Sequence, residues 1–167
     1  MRTRIRPPAP TESQPLELPP FARVVEDHGP ALLRFCAARV GSDRGEDCFQ
    51  ETMLAALRAY RDLRDPSAMR TWLFSIAARK AIDAHRASVR LPQPTDDVDT
   101  IVAVDPGGRD EALWDEVRSL PDKQRQAVTL RYRGDLTHAE IARVMETSEP
   151  AARRNVFEGL KRLRKDT

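Results

Sequence analysis

Cysteine, glycine and aromatic side chains are all scarce in this chain of 167 residues, and each scarcity excludes something. Two cysteines, Cys36 and Cys48, cannot supply a disulfide framework or a four-cysteine zinc site, so they read as small buried hydrophobes in a reducing cytoplasm. His28, His85 and His138 fall on separate segments with no cysteine at ligand spacing, so no metal is expected. The few glycines form no phosphate-cradling loop, and no Ser/His/Asp order or catalytic carboxylate cluster stands out. Five Phe, two Trp and two Tyr argue against a large cavity that stacks a sugar or a cofactor. The chain is therefore not expected to be an enzyme or to need a cofactor. No apolar run approaches the ~18 residues of a membrane span, and Arg2, Arg4 and Arg6 precede no apolar stretch. Neither membrane insertion nor a secretory leader is expected.

Charge is what the chain has in quantity, 32% of its residues. The net charge of +2 hides an uneven division: residues 66–91 sum to +4, 92–119 to −6 and 121–165 to +5. Two basic blocks around an acidic stretch suggest two polyanion-facing modules, although solvated helix faces would read the same way.

Six of the first 20 residues are proline, which predicts an extended or disordered arm over 1–20. From Phe21 to about Arg90 the pattern is helical. Leu32, Leu33, Phe35, Cys36 and Val40 recur at helical spacing, as do Phe49, Met53, Leu57 and Tyr60. Asp43 with Glu46 reads as an N-cap pair, and Ser67 as a cap after the Asp65-Pro66 break. The next helix runs from Ala68 to near Arg90, where Pro92 ends it. Residues 91–109 are an acidic, Pro- and Gly-bearing linker, and helical pattern resumes from Asp110 with Pro121 in a first turn. Alternating strand patterns are missing. The expected fold is all-α: two small helical domains, 21–90 and 110–167, on a flexible linker.

The second domain carries a sharper signal. Thr137-His138-Ala139-Glu140 is a capping box opening a short helix that buries Ile141, Val144 and Met145. A break at Glu146-Thr147 follows, then Ser148 as a new N-cap with Pro150 tolerated in the first turn. Ala152, Val156, Leu160 and Leu163 form one stripe of the last helix; Arg153, Arg154, Lys161, Lys165 and Phe157 lie off it. A short capped helix, a tight turn and a longer basic helix follow helix-turn-helix logic. A basic amphipathic hairpin is the plainer alternative.

Glu46-Asp47-Cys48-Phe49-Gln50-Glu51-Thr52, then Arg70-Thr71-Trp72-Leu73-Phe74-Ser75-Ile76-Ala77 and Ala81-Ile82-Asp83-Ala84-His85-Arg86, resembles region 2 of sigma factors. Leu120-Pro121, Gln124-Arg125, Leu130-Arg131-Tyr132 and Leu136 to Ala142 resemble region 4. With these two regions alone, the chain is similar to the extracytoplasmic-function (group IV) sigma factors of bacterial RNA polymerase.

The resemblance implies a promoter-specificity subunit that binds core polymerase, recognises minus-ten and minus-thirty-five elements and helps open DNA. It places Glu46, Asp47, Gln50 and Glu51 against the clamp helices of the largest polymerase subunit, although the same acids also read as a solvated face. It places Arg70, Trp72, Arg79, Lys80, Arg86 and Arg90 at the minus-ten strand, with Trp72 either core or stacking platform. Asp83 reads as an organiser of neighbouring arginines. Ser148, Arg153, Arg154, Asn155, Phe157, Glu158 and Lys161 would face the minus-thirty-five element. An anti-sigma factor is a further implied partner, and the cytoplasm, at the nucleoid when in holoenzyme, the implied location. Four positions depart from the family pattern: Arg79 for Asn, Glu146 for the turn Gly, Pro150-Ala151-Ala152 for Gly-Thr-Val, and Glu158 for Arg. Judged on the residues alone, a helix-turn-helix regulator that ignores core polymerase stays open.

Overall fold

The computed structural model describes residues 17–90 and 108–165. Of the expected arm over 1–20, residues 1–16 lie outside the described residues, as do 91–107 of the expected linker over 91–109, with its Pro92 stop; residues 108 and 109 are already helical. Among the described residues there are seven α-helices, two 3-10 turns and no strand. No described helix is long and apolar enough to cross a membrane.

Helix α1 (Phe21–Val40) and helix α2 (Ser42–Ala59) meet at Gly41, whose φ of 91° suits a residue without a Cβ. The N-cap of α2 is Gly41 rather than Asp43, because the helix starts two residues earlier than the side-chain pattern suggested. Asp43 instead sits in the first turn, where its carboxylate faces the positive end of the helix dipole. The two helices touch at Gly45: a Cβ there would lie 2.6 Å from the Ala37 Cα. Leu32, Phe35 and Cys36 of α1 and Cys48, Met53 and Ala56 of α2 are buried in this crossing. Both cysteines are free thiols, and contact with Cys48 together with burial pushes the Cys36 thiol up.

The chain then passes through 3-10 turns at Tyr60–Asp62 and Pro66–Ala68 into α3 (Met69–Arg90). Asp65, not Ser67, is the cap here: its Oδ1 accepts from the Ser67 amide at 2.9 Å and hydroxyl at 2.6 Å. Helix α3 buries Met69, Leu73, Phe74, Ala77, Ala78 and Ala81, with Phe74 edge-on to Phe35 at 5.5 Å between centroids. The last residues before α1 are part of this packing. Leu18 lies against the core, and the Tyr60 hydroxyl donates to the Pro19 carbonyl.

Helices α4 (Gly108–Ser119), α5 (Asp122–Tyr132), α6 (His138–Val144) and α7 (Glu149–Lys165) follow. Helix α4 starts two residues before Asp110, and Pro121 is the N-cap of α5 rather than a residue inside its first turn. Trp114, Val117, Leu120 and Val128 form a cluster with Ala38 of α1, and the Arg133 guanidinium stacks 4.3 Å over the Trp114 ring. Leu130, Leu136, Ile141, Ala142, Ala152 and Val156 join the same core as Leu73 and Phe74. The two sets of helices expected to stand apart on a linker are thus packed together in this structure. Gly134 makes the contact possible, since a Cβ there would lie 2.9 Å from the Phe74 ring.

The Gly45 crossing gives a direct check. Gly45→Ala forces backbone against backbone, with no flexible side chain to yield. It should cost about 2 kcal/mol, read as a fall of several degrees in the thermal midpoint. An unchanged midpoint would mean that α1 and α2 do not approach this closely.

Candidate nucleic-acid interface

The α6–α7 unit is built from its caps. Thr137 Oγ1 accepts from the Glu140 amide at 3.2 Å, and the Glu140 carboxylate accepts from the Thr137 amide at 2.7 Å, so the capping box forms as the sequence predicts. At the other end of α6 the Thr147 amide donates to the Ala142 carbonyl at 2.9 Å and the Glu146 amide to Arg143 at 3.3 Å. These two bonds are a Schellman closure, and they need a left-handed residue at Glu146, whose φ is 51°. The tight turn is therefore kept although its usual glycine is absent. Ser148 then caps α7, accepting from the Ala151 amide at 3.3 Å.

This turn fixes what α7 shows. Ala152, Val156 and Gly159 face inward, with Leu160 and Leu163 packed on the two cores. Arg153, Arg154, Phe157 and Lys161 are exposed, with Phe157 at 62%, while Asn155 and Glu158 are half-buried on its flanks. Glu149, Pro150, Arg153, Arg154 and Phe157 line an open depression of about 480 Å³. Arg153 Nη2 donates to Glu149 Oε1 at 3.0 Å in an exposed pair, an interaction weak enough to exchange for another anion. All seven expected residues lie on α7 or at its cap, five of them exposed and two half-buried.

Helix α3 divides its cations between two sides. At about 100° per residue, Arg79, Arg86 and Arg90 share an azimuth with Trp72, and Lys80 flanks them. Arg79, Arg86 and Arg90 are exposed; Lys80 is half-buried. Trp72 is half-buried, packed against the core on one side with the rest of its ring open to the surface. Arg70 does not belong to this face. Its position falls on the same side as Leu73, Phe74, Ala77 and Ala81, the buried stripe. Its Nη2 donates to the carbonyls of Gly134 at 2.6 Å and Asp135 at 2.5 Å. Asp83 is exposed and forms no ion pair among the described residues, so it does not organise the arginines around it.

On α2, Glu46, Asp47, Gln50 and Glu51 are all exposed, and Gln50 Nε2 donates to Glu46 Oε1 at 3.4 Å. Leu57, expected in the core, is 52% exposed, as is Leu54. The reason is angular. The buried side of α2 is Gly45, Cys48, Thr52, Met53 and Ala56, and Leu57 lies about 100° past Ala56. Leu54 and Leu57 continue the line of Asp47 and Gln50 at three- and four-residue steps.

The left-handed turn supplies a prediction. Glu146→Gly removes the Cβ conflict at φ 51° while adding freedom to the unfolded chain. The net gain should be about 1 kcal/mol, seen as a higher thermal midpoint. A midpoint that falls would show the turn to be unstrained.

Residues 24–91 match the family model described as Sigma-70 region 2, and residues 110–163 match Sigma-70, region 4. The ECF RNA polymerase sigma-E factor of Escherichia coli (strain K12) is 34% identical over 129 residues, covering 66% of this chain and 67% of that protein. The ECF RNA polymerase sigma factor SigD of Mycobacterium bovis is 31% identical over 158 residues, covering 84% of this chain and 74% of its own length. Among solved structures, the sigma factor RpoE of Bartonella quintana, in complex with the anti-sigma factor NepR, superposes with a TM-score of 0.70 at 18% identity. That alignment covers 87% of this chain and 94% of RpoE.

Proposed function

The chain belongs to the sigma-70 family, among its extracytoplasmic-function members, and on that premise we propose how its surfaces divide the work of a sigma subunit of RNA polymerase. The observation that carries the reading is the presence of both family regions, in order, on one chain. Residues 21–90 act as the region 2 domain and 110–167 as the region 4 domain, joined by 91–109 and preceded by the arm 1–20. The work is binding and strand opening rather than catalysis of its own, and it takes place in the cytoplasm.

The exposed side of α2 is the polymerase contact. Glu46, Asp47, Gln50 and Glu51 supply a directional polar patch for a basic partner, and Leu54 and Leu57 extend it with apolar area that association would desolvate. The outer side of α3 holds the minus-ten strand: Arg79, Arg86 and Arg90, flanked by Lys80, track phosphates while the open edge of Trp72 offers a base a stacking surface. Arg70 is left out of that set because its guanidinium is already engaged by two carbonyls. The exposed side of α7 reads the minus-thirty-five element, with Arg153 and Arg154 as the candidates for guanine and Arg154 the one that holds no ion pair in this structure. Since a relative's structure is a complex with an anti-sigma factor, such a protein is a further proposed partner.

Gel filtration of the purified chain with core polymerase tests the reading. Co-elution is the expected result, and Asp47→Lys should weaken it at least tenfold with helical content unchanged, the scale of losing a specific charged contact. A regulator of the alternative kind would bind duplex promoter DNA alone and elute apart from core.

Promoter reading is tested on a library randomised across the minus-thirty-five element. Arg154→Ala should cost about 1–3 kcal/mol and relax preference at one or two base pairs. Lys161→Ala should weaken binding evenly and reduce the salt slope by about one unit. An unchanged preference in the Arg154 variant would move base reading to another residue.

A further inference from the structure

Beneath the exposed acids of α2 lie the two cysteines of the chain, which the sigma reading leaves without a role. Cys36 of α1 is 0% exposed and Cys48 of α2 is 3% exposed. Both are free, and their thiols are in hydrogen-bonding contact across the helix crossing. Backbone geometry explains why they meet. The helices double back at Gly41 and come closest where Gly45 stands against Ala37, with no room for a Cβ between them. Along the helix axes Cys36 lies about 1.5 Å and Cys48 about 4.5 Å beyond that contact, both on the side away from Gly41. The stagger is small enough for the separation of about 4–7 Å between Cα atoms that a disulfide spans.

Thiols packed among hydrocarbon are ordinarily inert. This pair has polar company. Thr52, fully buried, donates from Oγ1 to the Cys48 carbonyl at 2.7 Å, which sets its hydroxyl beside both sulfurs. Arg39 follows Cys36 by three residues, and its charge acts on Cys48. The Nε and Nη1 of this guanidinium are sealed from solvent and have no hydrogen-bond partner among the described residues. Asp122, the carboxylate that eases it, is paired with Arg125. A buried guanidinium short of an anion favours the thiolate of a cysteine beside it. The two thiols therefore differ. Contact with Cys36, aided by Arg39, lowers the Cys48 pKa against burial and the Glu51 charge, while contact with Cys48 and burial push Cys36 up. Cys48 is the nucleophile of the pair, and Cys36 keeps its proton.

We propose that Cys36 and Cys48 form a redox-active dithiol, which hydrogen peroxide closes to a disulfide between α1 and α2, and that the oxidised chain binds core polymerase less tightly. The Cys48 thiolate attacks one peroxide oxygen, the O–O bond breaks, and the departing hydroxide leaves as water with the proton that Cys48 gave up. Cys48 is then a sulfenic acid. The Cys36 sulfur attacks the Cys48 sulfur, the S–O bond breaks, and the hydroxyl leaves as a second water with the Cys36 proton. Two thiols and one peroxide thus give one disulfide and two waters, the sulfurs being oxidised and the peroxide reduced.

The S–S bond, about 2 Å long, is shorter than any contact between separate thiols. Gly45 already stands against the Ala37 backbone, so α2 cannot answer by moving bodily toward α1. It turns about that contact instead, and Asp47 and Gln50, on either side of Cys48 in the sequence, turn with it. This consequence rests on the polymerase contact proposed above; the dithiol itself does not.

Mass spectrometry of the full chain treated with hydrogen peroxide under native conditions tests the site. The expected result is loss of two hydrogens, one cross-linked peptide joining Cys36 to Cys48, and full reversal by dithiothreitol. Cys36→Ala should stop at a Cys48 sulfenic acid that dimedone traps, and Cys48→Ala should leave Cys36 unmodified. Arg39→Met should slow disulfide formation roughly threefold and Arg39→Lys should restore it, a rescue that a merely structural role does not produce. The oxidised wild-type chain should bind core about fivefold less tightly, and Cys48→Ala should lose this response to peroxide. Oxidation confined to the methionines, or a disulfide between chains, would overturn the dithiol. An unchanged rate in Arg39→Met would take Arg39 out of the site. A disulfide with unmoved core affinity would overturn the effect on polymerase. If the reduced chain never binds core, the sigma reading fails, while the mass and the cross-linked peptide still decide whether the dithiol exists.

Discussion

The edge-on contact of Phe35 with Phe74, centroids 5.5 Å apart, sets the rotation of α3 and so the direction in which each of its side chains points. With Phe74 seated, Leu73, Ala77, Ala78 and Ala81 must line the interior, and the alanines keep the helix close to its neighbours. Arg79, Arg86 and Arg90 are then forced outward, on the side away from the core. The same rotation puts Arg70 at the near edge of the buried stripe, beside the carbonyls of Gly134 and Asp135. One packed ring thus separates the cations that face solvent from the one that joins the two groups of helices. A truncation at Phe74 would disturb all of these together, whereas a change at Arg86 would be local.

The turn before α7 plays the corresponding part at the other end. Its Schellman bonds and the Ser148 cap fix both the angle and the starting residue of α7. A shift of one residue in that start would rotate Phe157 and Arg154 about 100° toward the core. Keeping the geometry with Glu146 in a left-handed conformation shows how strongly the turn is held by its neighbours. The exposed charges of α2, α3 and α7 need no partner within the chain, since each lies in water on a helix whose other side is packed. Their cost arises only on binding, and there a complementary surface can repay it.

Much of this was readable in the order of residues. The capping box at Thr137, the break at Glu146 and the stripe of α7 are local signals, each decided within one or two helical turns. The all-α class followed from periodicity, and both family regions from short motifs. Errors arose where a local pattern competes with tertiary packing. Leu57 looked like core because it continues a helical spacing from Met53, but the true buried line runs through Cys48, Thr52 and Ala56. Asp43 and Ser67 looked like caps because their residue types suit the role, yet Gly41 and Asp65 hold those positions. The resemblance groups Arg70 with the cations of the basic helix, and the phase of α3 sets it beside the buried stripe, donating to the carbonyls of Gly134 and Asp135. The packing of the two helix groups on one another, joined across Gly134, depends on contacts between residues more than 60 positions apart, such as Arg70 with Gly134. No motif announces such contacts.

Transcription in a reconstituted system tests the central claim most directly. Core polymerase free of other sigma factors, supplied with this chain and a library of promoter fragments, should produce transcripts that begin at defined positions. Those starts should lie at a constant spacing downstream of two shared sequence elements, and they should vanish when the chain is left out. Transcripts that begin at random positions, or in equal amount without the chain, would contradict the account.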